Sequence, residues 1–171
     1  MALAPFVGFQ YGGGFDSAAF GHSSIGVGLQ YGAVLDVPIG GERWGAELLF
    51  ARQESELSGA ARRDVAVERY MAGIREEKEV GRFRFRGVFL LGATRFALEG
   101  LGSEARFTGA IGLGMRLWLG PSFGVRADVR GYYAVASFSG GTACVDGSCL
   151  FVFGGTGLWQ GDVTAGLELR F

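Results

Sequence analysis

The sequence predicts an all-β chain: an eight-stranded antiparallel up-and-down transmembrane β-barrel with a polar, side-chain-filled lumen, forming a single domain over residues 1–171. Three observations predict it. Apolar residues alternate with small or polar ones in eight successive segments, a period of two that belongs to strands. The chain is at once apolar and rich in glycine: 49% of its residues are hydrophobic, 32 of 171 are Gly and only 3 are Pro, against a usual Gly share of about 7%. The connections between the segments also alternate between short and long, which fits a barrel whose two rims differ.

Other classes fall away on the same numbers. Gly shows no three-residue period and Pro is rare, which excludes collagen. The apolar content excludes a disordered chain, and a net charge of −1 gives no sign of nucleic-acid binding. The stretch 17–35 lacks Asp, Glu, Lys and Arg and is long enough for a membrane helix. Its glycine density would cost a helix about 1 kcal/mol per site, and from Ile25 onward its period is two.

The segments follow in order. Val7, Phe9 and Tyr11 alternate with Gly8, Gln10 and Gly12. Ile25, Val27, Leu29, Tyr31, Ala33, Leu35 and Val37 share one face of the second. Trp44, Ala46, Leu48 and Phe50 oppose Gly45, Glu47, Leu49 and Ala51 in the third. The fourth, around 65–75, has two possible phases: Tyr70, Ala72 and Ile74 form its apolar face, or Val65, Val67 and Met71 do, with a bulge as the device that would switch them. Phe83, Phe85, Phe89, Leu91 and Ala93 oppose Arg84, Arg86, Val88, Leu90 and Gly92 in the fifth. The sixth sets Phe107, Ile111, Leu113, Met115, Leu117 and Leu119 against Thr108, Ala110, Gly112, Gly114, Arg116 and Trp118. The seventh sets Val125, Ala127, Val129 and Tyr133 against Gly124, Arg126, Asp128, Arg130 and Tyr132. In the eighth, Trp159, Val163, Ala165, Leu167, Leu169 and Phe171 face away from Gln160, Asp162, Thr164, Gly166, Glu168 and Arg170. Long connections are expected at 13–23, 54–64, 96–105 and 136–157, and short ones at 38–42, 76–81 and 120–122.

Side-chain size decides which face is inside. An eight-stranded barrel has an interior only just wide enough for side chains to fill. It cannot hold the Phe, Leu, Val, Ile, Trp and Tyr set, whereas the Gly, Ala and Thr of the other face leave room for a few long charged groups. The apolar set therefore faces lipid, the reverse of a soluble lipocalin-like barrel. Trp44, Phe83, Phe123 and Phe171 near the short turns, and Tyr11, Phe107, Tyr133 and Trp159 toward the long ones, fit two aromatic girdles. Eleven glycines face the lumen on this assignment (Gly8, Gly12, Gly26, Gly28, Gly32, Gly45, Gly92, Gly112, Gly114, Gly124 and Gly166), and Gly87, Gly109, Gly131 and Gly161 face lipid.

Buried ions must be paired, so the inner faces predict a lumenal ion-pair network. Its cations are Arg84, Arg86, Arg116, Arg126 and Arg130, and its anions are Asp36, Glu47, Asp128, Asp162 and Glu168. Asp128, flanked by Arg126 and Arg130 with Asp162 or Glu168 on the neighbouring strand, is its expected centre. Arg170 is left out as a wet residue at the barrel's end. The network is expected to plug the lumen; a hydrated, charge-lined pore is the rival.

The chain closes on Gly166, Leu167, Glu168, Leu169, Arg170 and Phe171. Leu167, Leu169 and Phe171 resemble the C-terminal assembly signal of bacterial outer-membrane barrels, and the hairpin from Ala110 to Trp118 and Val125 to Arg130 resembles that of OmpA/OmpX-like proteins. The resemblance covers the whole chain in architecture and is close only in its last third. It implies the bacterial outer membrane, contact with its lipid and lipopolysaccharide, insertion by the barrel-assembly machinery, a monomer, and a structural or adhesive role for four long extracellular loops. It also implies export. No signal peptide is visible at the N-terminus, and one is taken as removed. In an exported chain, Cys144 and Cys149 on either side of Asp146 and Gly147 suggest a disulfide that shapes the last loop.

No catalytic, metal or cofactor constellation emerges. His22, the only histidine, stands beside Ser23 and Ser24; a lipid A-modifying enzyme would use such residues, but adjacency in sequence is not catalytic geometry. A conduit for small hydrophobic molecules and a soluble ligand-binding barrel also stay open on the sequence. Arg75, Glu76, Glu77, Lys78 and Glu79 read as a solvated run in a short turn. Arg62, Arg63 and Asp64 read as a solvated loop or as a contact for lipopolysaccharide phosphates. Phe151 and Phe153 cap the barrel, extend the last strand or form a contact surface.

Overall fold

A computed structural model describes residues 1–12, 14–17, 21–25, 27–41, 43–58, 63–98, 102–135, 144–145, 148–149 and 158–171, with the backbone alone at 14–17, 21–25, 55–58, 63–65, 98, 102, 104, 144–145 and 148–149. The described residues form strands β1 (Ala2–Tyr11), β2 (Gly14–Ser17), β3 (Gly21–Ile25), β4 (Gly28–Pro38), β5 (Trp44–Ser58), β6 (Arg63–Val80), β7 (Phe83–Leu98), β8 (Gly102–Trp118), β9 (Phe123–Ala134), β10 (Cys144–Val145), β11 (Ser148–Cys149) and β12 (Leu158–Arg170). Eight of them pair in the order β5-β4-β1-β12-β9-β8-β7-β6, and β6 pairs back onto β5. Every contact is antiparallel, and the barrel is closed between the first and last strands by β1 against β12. Closure leaves no unpaired edge among these eight strands.

The wall is uneven in height. Strands β1, β4, β9 and β12 have 10, 11, 12 and 13 residues, while β5, β6, β7 and β8 have 15, 18, 16 and 17. About 9–11 residues suffice to cross a membrane, so β5–β8 run on past it. This corrects the loop boundaries. Most of 54–64 and 96–105 is strand, and 13–23 contains β2 and the start of β3; β2 pairs with β3, and β3 joins β5 through Ser24 opposite Ser58 and Ile25 opposite Leu57. The apolar alternation fades in these stretches, but ladder pairing depends on backbone hydrogen bonds and continues beyond the apolar band.

The fourth barrel strand, β6, also resolves. Its register runs without a bulge from Arg63–Leu57 to Glu76–Trp44 on one side and from Val65–Leu98 to Val80–Phe83 on the other. Tyr70, Ala72 and Ile74 face out, and Val67 and Met71 are buried inside. The run Arg75 to Glu79 therefore lies on a strand and not in a turn, with Arg75 and Glu77 buried. The turn is Gly81 and Arg82 alone; Gly81 supplies the positive φ of 64° that tight hairpin turns need at their first central position.

The apolar set faces outward. Val7, Phe9, Leu29, Phe89, Ile111, Leu113, Val163 and Leu167 are exposed, as are all eight girdle aromatics. The lumen is not polar throughout, however. Read along the strands from the short-turn end, its inward residues form three tiers: an ionic one, an apolar one built from Ala4, Phe6, Val34, Leu49, Ala51, Met71, Val88, Leu90, Ala110 and Tyr132, and a tier of amides and hydroxyls. Small residues make this packing possible. A Cβ on Gly114 would strike the Asp128 carboxylate and the Arg86 stem, one on Gly112 would meet the Arg130 stem, and one on Gly32 the Phe6 ring. Outward Gly87 and Gly131 face open space, and Gly161 lies under the Tyr11 ring. Gly73 joins the tightly enclosed glycines, and Gly26 lies outside the described residues.

Candidate functional site

The ionic tier joins ten side chains, five of each sign. Arg75, Arg86, Arg116, Arg126 and Arg130 meet Asp36, Glu47, Glu77, Asp128 and Glu168, and none of these side chains is more than 5% exposed. Asp36 is the hub. It receives Arg75 Nε at 3.0 Å, Arg86 Nη1 at 3.2 Å, Arg116 Nη2 at 2.6 Å and Arg126 Nη1 at 3.3 Å. Glu47 takes Arg86, Arg126 at 3.7 Å and Arg130 at 3.4 Å. Asp128 takes Arg126 at 2.8 Å, Arg130 at 3.3 Å and Arg86 at 3.7 Å. Arg116 also reaches Glu77 at 3.0 Å and Glu168 at 2.5 Å. Each guanidinium fork serves two or three carboxylates, which limits the desolvation penalty of burial.

The structure brings together eight of the ten residues expected from the sequence: Asp36, Glu47, Arg86, Arg116, Arg126, Asp128, Arg130 and Glu168. Arg84 sits at the rim, half-buried, with Glu79 at 3.1 Å. Asp162 is buried but makes no ion pair among the described residues; it accepts hydrogen bonds from Tyr132 at 2.7 Å and Gln30 at 2.5 Å. Arg75 and Glu77 take the two places in the network. Both come from β6, and its phase was the missing signal: placing Tyr70, Ala72 and Ile74 outward puts Arg69, Arg75 and Glu77 inside. The centre also moves from Asp128 to Asp36, because Asp36 faces the arginines of strands across the lumen and not those next to it in sequence.

The amide tier was unforeseen. Arg69, fully buried, crosses from β6 to donate to Gln10 at 2.6 Å and to Gln160 at 2.5 Å, with its guanidinium 4.6 Å from the centre of the Tyr132 ring. Thr94 and Thr108 share a hydrogen bond of 2.7 Å, and Gln30, Gln53 and Arg106 are buried in the same region of their strands.

The other singled-out residues divide by position. His22 on β3 stands opposite Asp16 on β2, and Cys144 on β10 opposite Cys149 on β11; all four side chains lie outside the described residues. Phe151, Phe153 and Arg62 lie outside them altogether. Leu167, Leu169 and Phe171 face outward at the end of β12.

No protein-family model and no curated protein matches the chain. Solved structures do. Neisserial surface protein A superposes with a TM-score of 0.69 at 13% identity, over 100% of this chain and 99% of that one. Ail, the attachment invasion locus protein of Yersinia pestis, gives 0.47 at 15% identity over 99% and 98%, and the N-terminal β-barrel domain of Pseudomonas aeruginosa OprF gives 0.46 at 13% over 98% and 97%. With its closed antiparallel barrel, outward apolar face and charged lumen, this chain has the fold of the eight-stranded outer-membrane β-barrels of the OmpA/OmpX-like kind.

Proposed function

We propose that this protein is a bacterial outer-membrane barrel of structural or adhesive type, monomeric and without catalytic activity, that carries its loops on the cell surface and conducts no ions through its lumen. The observation that carries this reading is the ten-residue ion-pair network, which fills the cross-section of a barrel only just wide enough for side chains. An ion passing through would have to part salt bridges between side chains that are no more than 5% exposed. Lipid and lipopolysaccharide surround the outward apolar face, and the barrel-assembly machinery reads Leu167, Leu169 and Phe171. The superposition on a protein named as a surface protein agrees with this placement.

The test is reconstitution of purified protein in planar bilayers: the membrane stays silent, and large, stable single-channel currents would overturn the closed lumen. The adhesive role is tested by displaying the chain on a non-adherent bacterium, with and without residues 136–157. The last loop carries a disulfide between Cys144 and Cys149. Their opposed backbone register supports it, since directly opposed antiparallel residues lie at Cα separations that a disulfide accepts. Mass spectrometry of native protein without reductant reads the pair as oxidised; two alkylated thiols refute it.

A further inference from the structure

We propose, resting on the outer-membrane reading, that the β5–β6 face of the barrel holds the bilayer locally thin, with compressed phospholipid chains as its partner. The outward faces of the strands differ in how far they run without a charge. Along β12 the run extends from Trp159 to Phe171, and along β9 from Phe123 to Val135. On β6, Glu68 and Glu76 interrupt the outward face, and only Tyr70, Ala72 and Ile74 stand between them. At a rise of about 3.4 Å per residue and a tilt of about 40°, the β12 run spans about 31 Å along the membrane normal, and Glu68 to Glu76 spans about 21 Å. The usual apolar band is about 25 Å tall. The neighbouring strand agrees, since Arg52 on β5 stands opposite Glu68, Trp44 opposite Glu76, and Arg43 follows at the turn.

These charges are tied to the wall. Glu68 takes Arg52 at 3.1 Å, Arg95 at 3.5 Å and the Tyr70 hydroxyl at 3.3 Å, and Glu76 takes Arg43 at 2.5 Å. Bonds to adjacent strands keep both carboxylates from reaching along the wall to water. A charge that faces lipid costs more the deeper it lies, whereas mismatch between wall and bilayer costs little per ångström. The bilayer therefore yields before the charges enter hydrocarbon. The same face is recessed. A hollow of about 550 Å³ lies there, lined in part by Leu35, Leu48, Phe50, Tyr70, Ala72 and Leu91. Hydrocarbon keeps its volume when compressed, so a thinner leaflet spreads sideways, and the hollow takes the chains that bend and splay against this face.

The test uses the full chain in vesicles of palmitoyl-oleoyl phosphatidylcholine, with a nitroxide on a single cysteine in a Cys144→Ser, Cys149→Ser background. Collisions with oxygen, compared with those of a water-soluble nickel complex, read the depth of the label. Ala72→Cys marks the middle of the β6 interval and Ala165→Cys the middle of the β12 run. The label at 72 reads about 5 Å shallower than the label at 165, half the difference between the two spans. Arg43→Leu combined with Glu76→Leu removes the lower boundary as a pair; the label at 72 then moves deeper and the label at 165 does not. If that double variant fails to fold, the comparison of 72 with 165 decides alone. Equal depths at the two positions overturn the proposal, as does a depth at 72 that the double variant leaves unchanged. Shielding of the label at 72 from both reagents overturns it in favour of a second copy covering this face. Two labels that meet only the nickel complex refute the outer-membrane reading itself, and the proposal with it.

Discussion

Replacing Asp36 with Asn removes one negative charge where four guanidinium groups converge, at 2.6 to 3.3 Å from its carboxylate. The two side chains are nearly equal in volume, so no cavity opens and the cost is electrostatic. Five cations then face four anions in a tier where no side chain is more than 5% exposed. Removing one partner of a buried ion pair costs about 3–5 kcal/mol, because the remaining charge stays desolvated. At about 4 kcal/mol and a urea slope of about 2 kcal/mol/M, the unfolding midpoint falls by about 2 M. The assay is urea titration in lipid vesicles, with the folded fraction read from the migration of unheated samples. Adding Arg116→Gln restores neutrality, and the double variant recovers about 1–3 kcal/mol relative to the sum of the singles. Asp162→Asn is the internal comparison: its carboxylate is held by neutral donors, and the change costs about 1–2 kcal/mol. An Asp36→Asn variant within about 0.5 kcal/mol of the parent, the range of ordinary surface changes, would falsify the hub.

Three further outcomes follow from the packing. Gly114→Ala destabilises by about 1–3 kcal/mol because its methyl strikes Asp128 and Arg86, whereas Gly131→Ala, which faces open space, stays within about 0.5 kcal/mol in the same titration. Leu113→Arg puts a charge on the exposed apolar wall and costs about 2–4 kcal/mol if that position lies at the bilayer midplane; an unchanged midpoint in vesicles contradicts its contact with lipid. Arg69→Met leaves the Gln10 and Gln160 carbonyl oxygens without their donor and destabilises by about 1–3 kcal/mol. It opens no channel, because the ionic tier still fills the lumen; planar-bilayer recording reads the difference.

The period of two was legible in the sequence, and with it the strand count, the outward face of seven strands and the reversal of inside and outside. These follow from local geometry: successive side chains on a strand point to opposite sides, and the volume of an eight-stranded interior excludes the larger set. The inward placement of Glu47, Arg86 and Asp128 needed nothing more. The phase of β6 did, because Val67 and Met71 are apolar residues that face inward, where they mimic the outer pattern; only pairing with β5 and β7 on both sides fixes that strand. The strand ends also lay beyond local pattern, since ladder hydrogen bonds carry β5–β8 past the apolar band.

The sequence by itself determined that charges of both signs are carried into a narrow lumen. Only the tertiary structure decided their partners. A carboxylate on β4 meets arginines from β6, β7, β8 and β9 because closing the barrel brings those strands to face one another across it. Period and composition describe each strand alone, and the distance between two strands across a lumen is a property of the closed sheet.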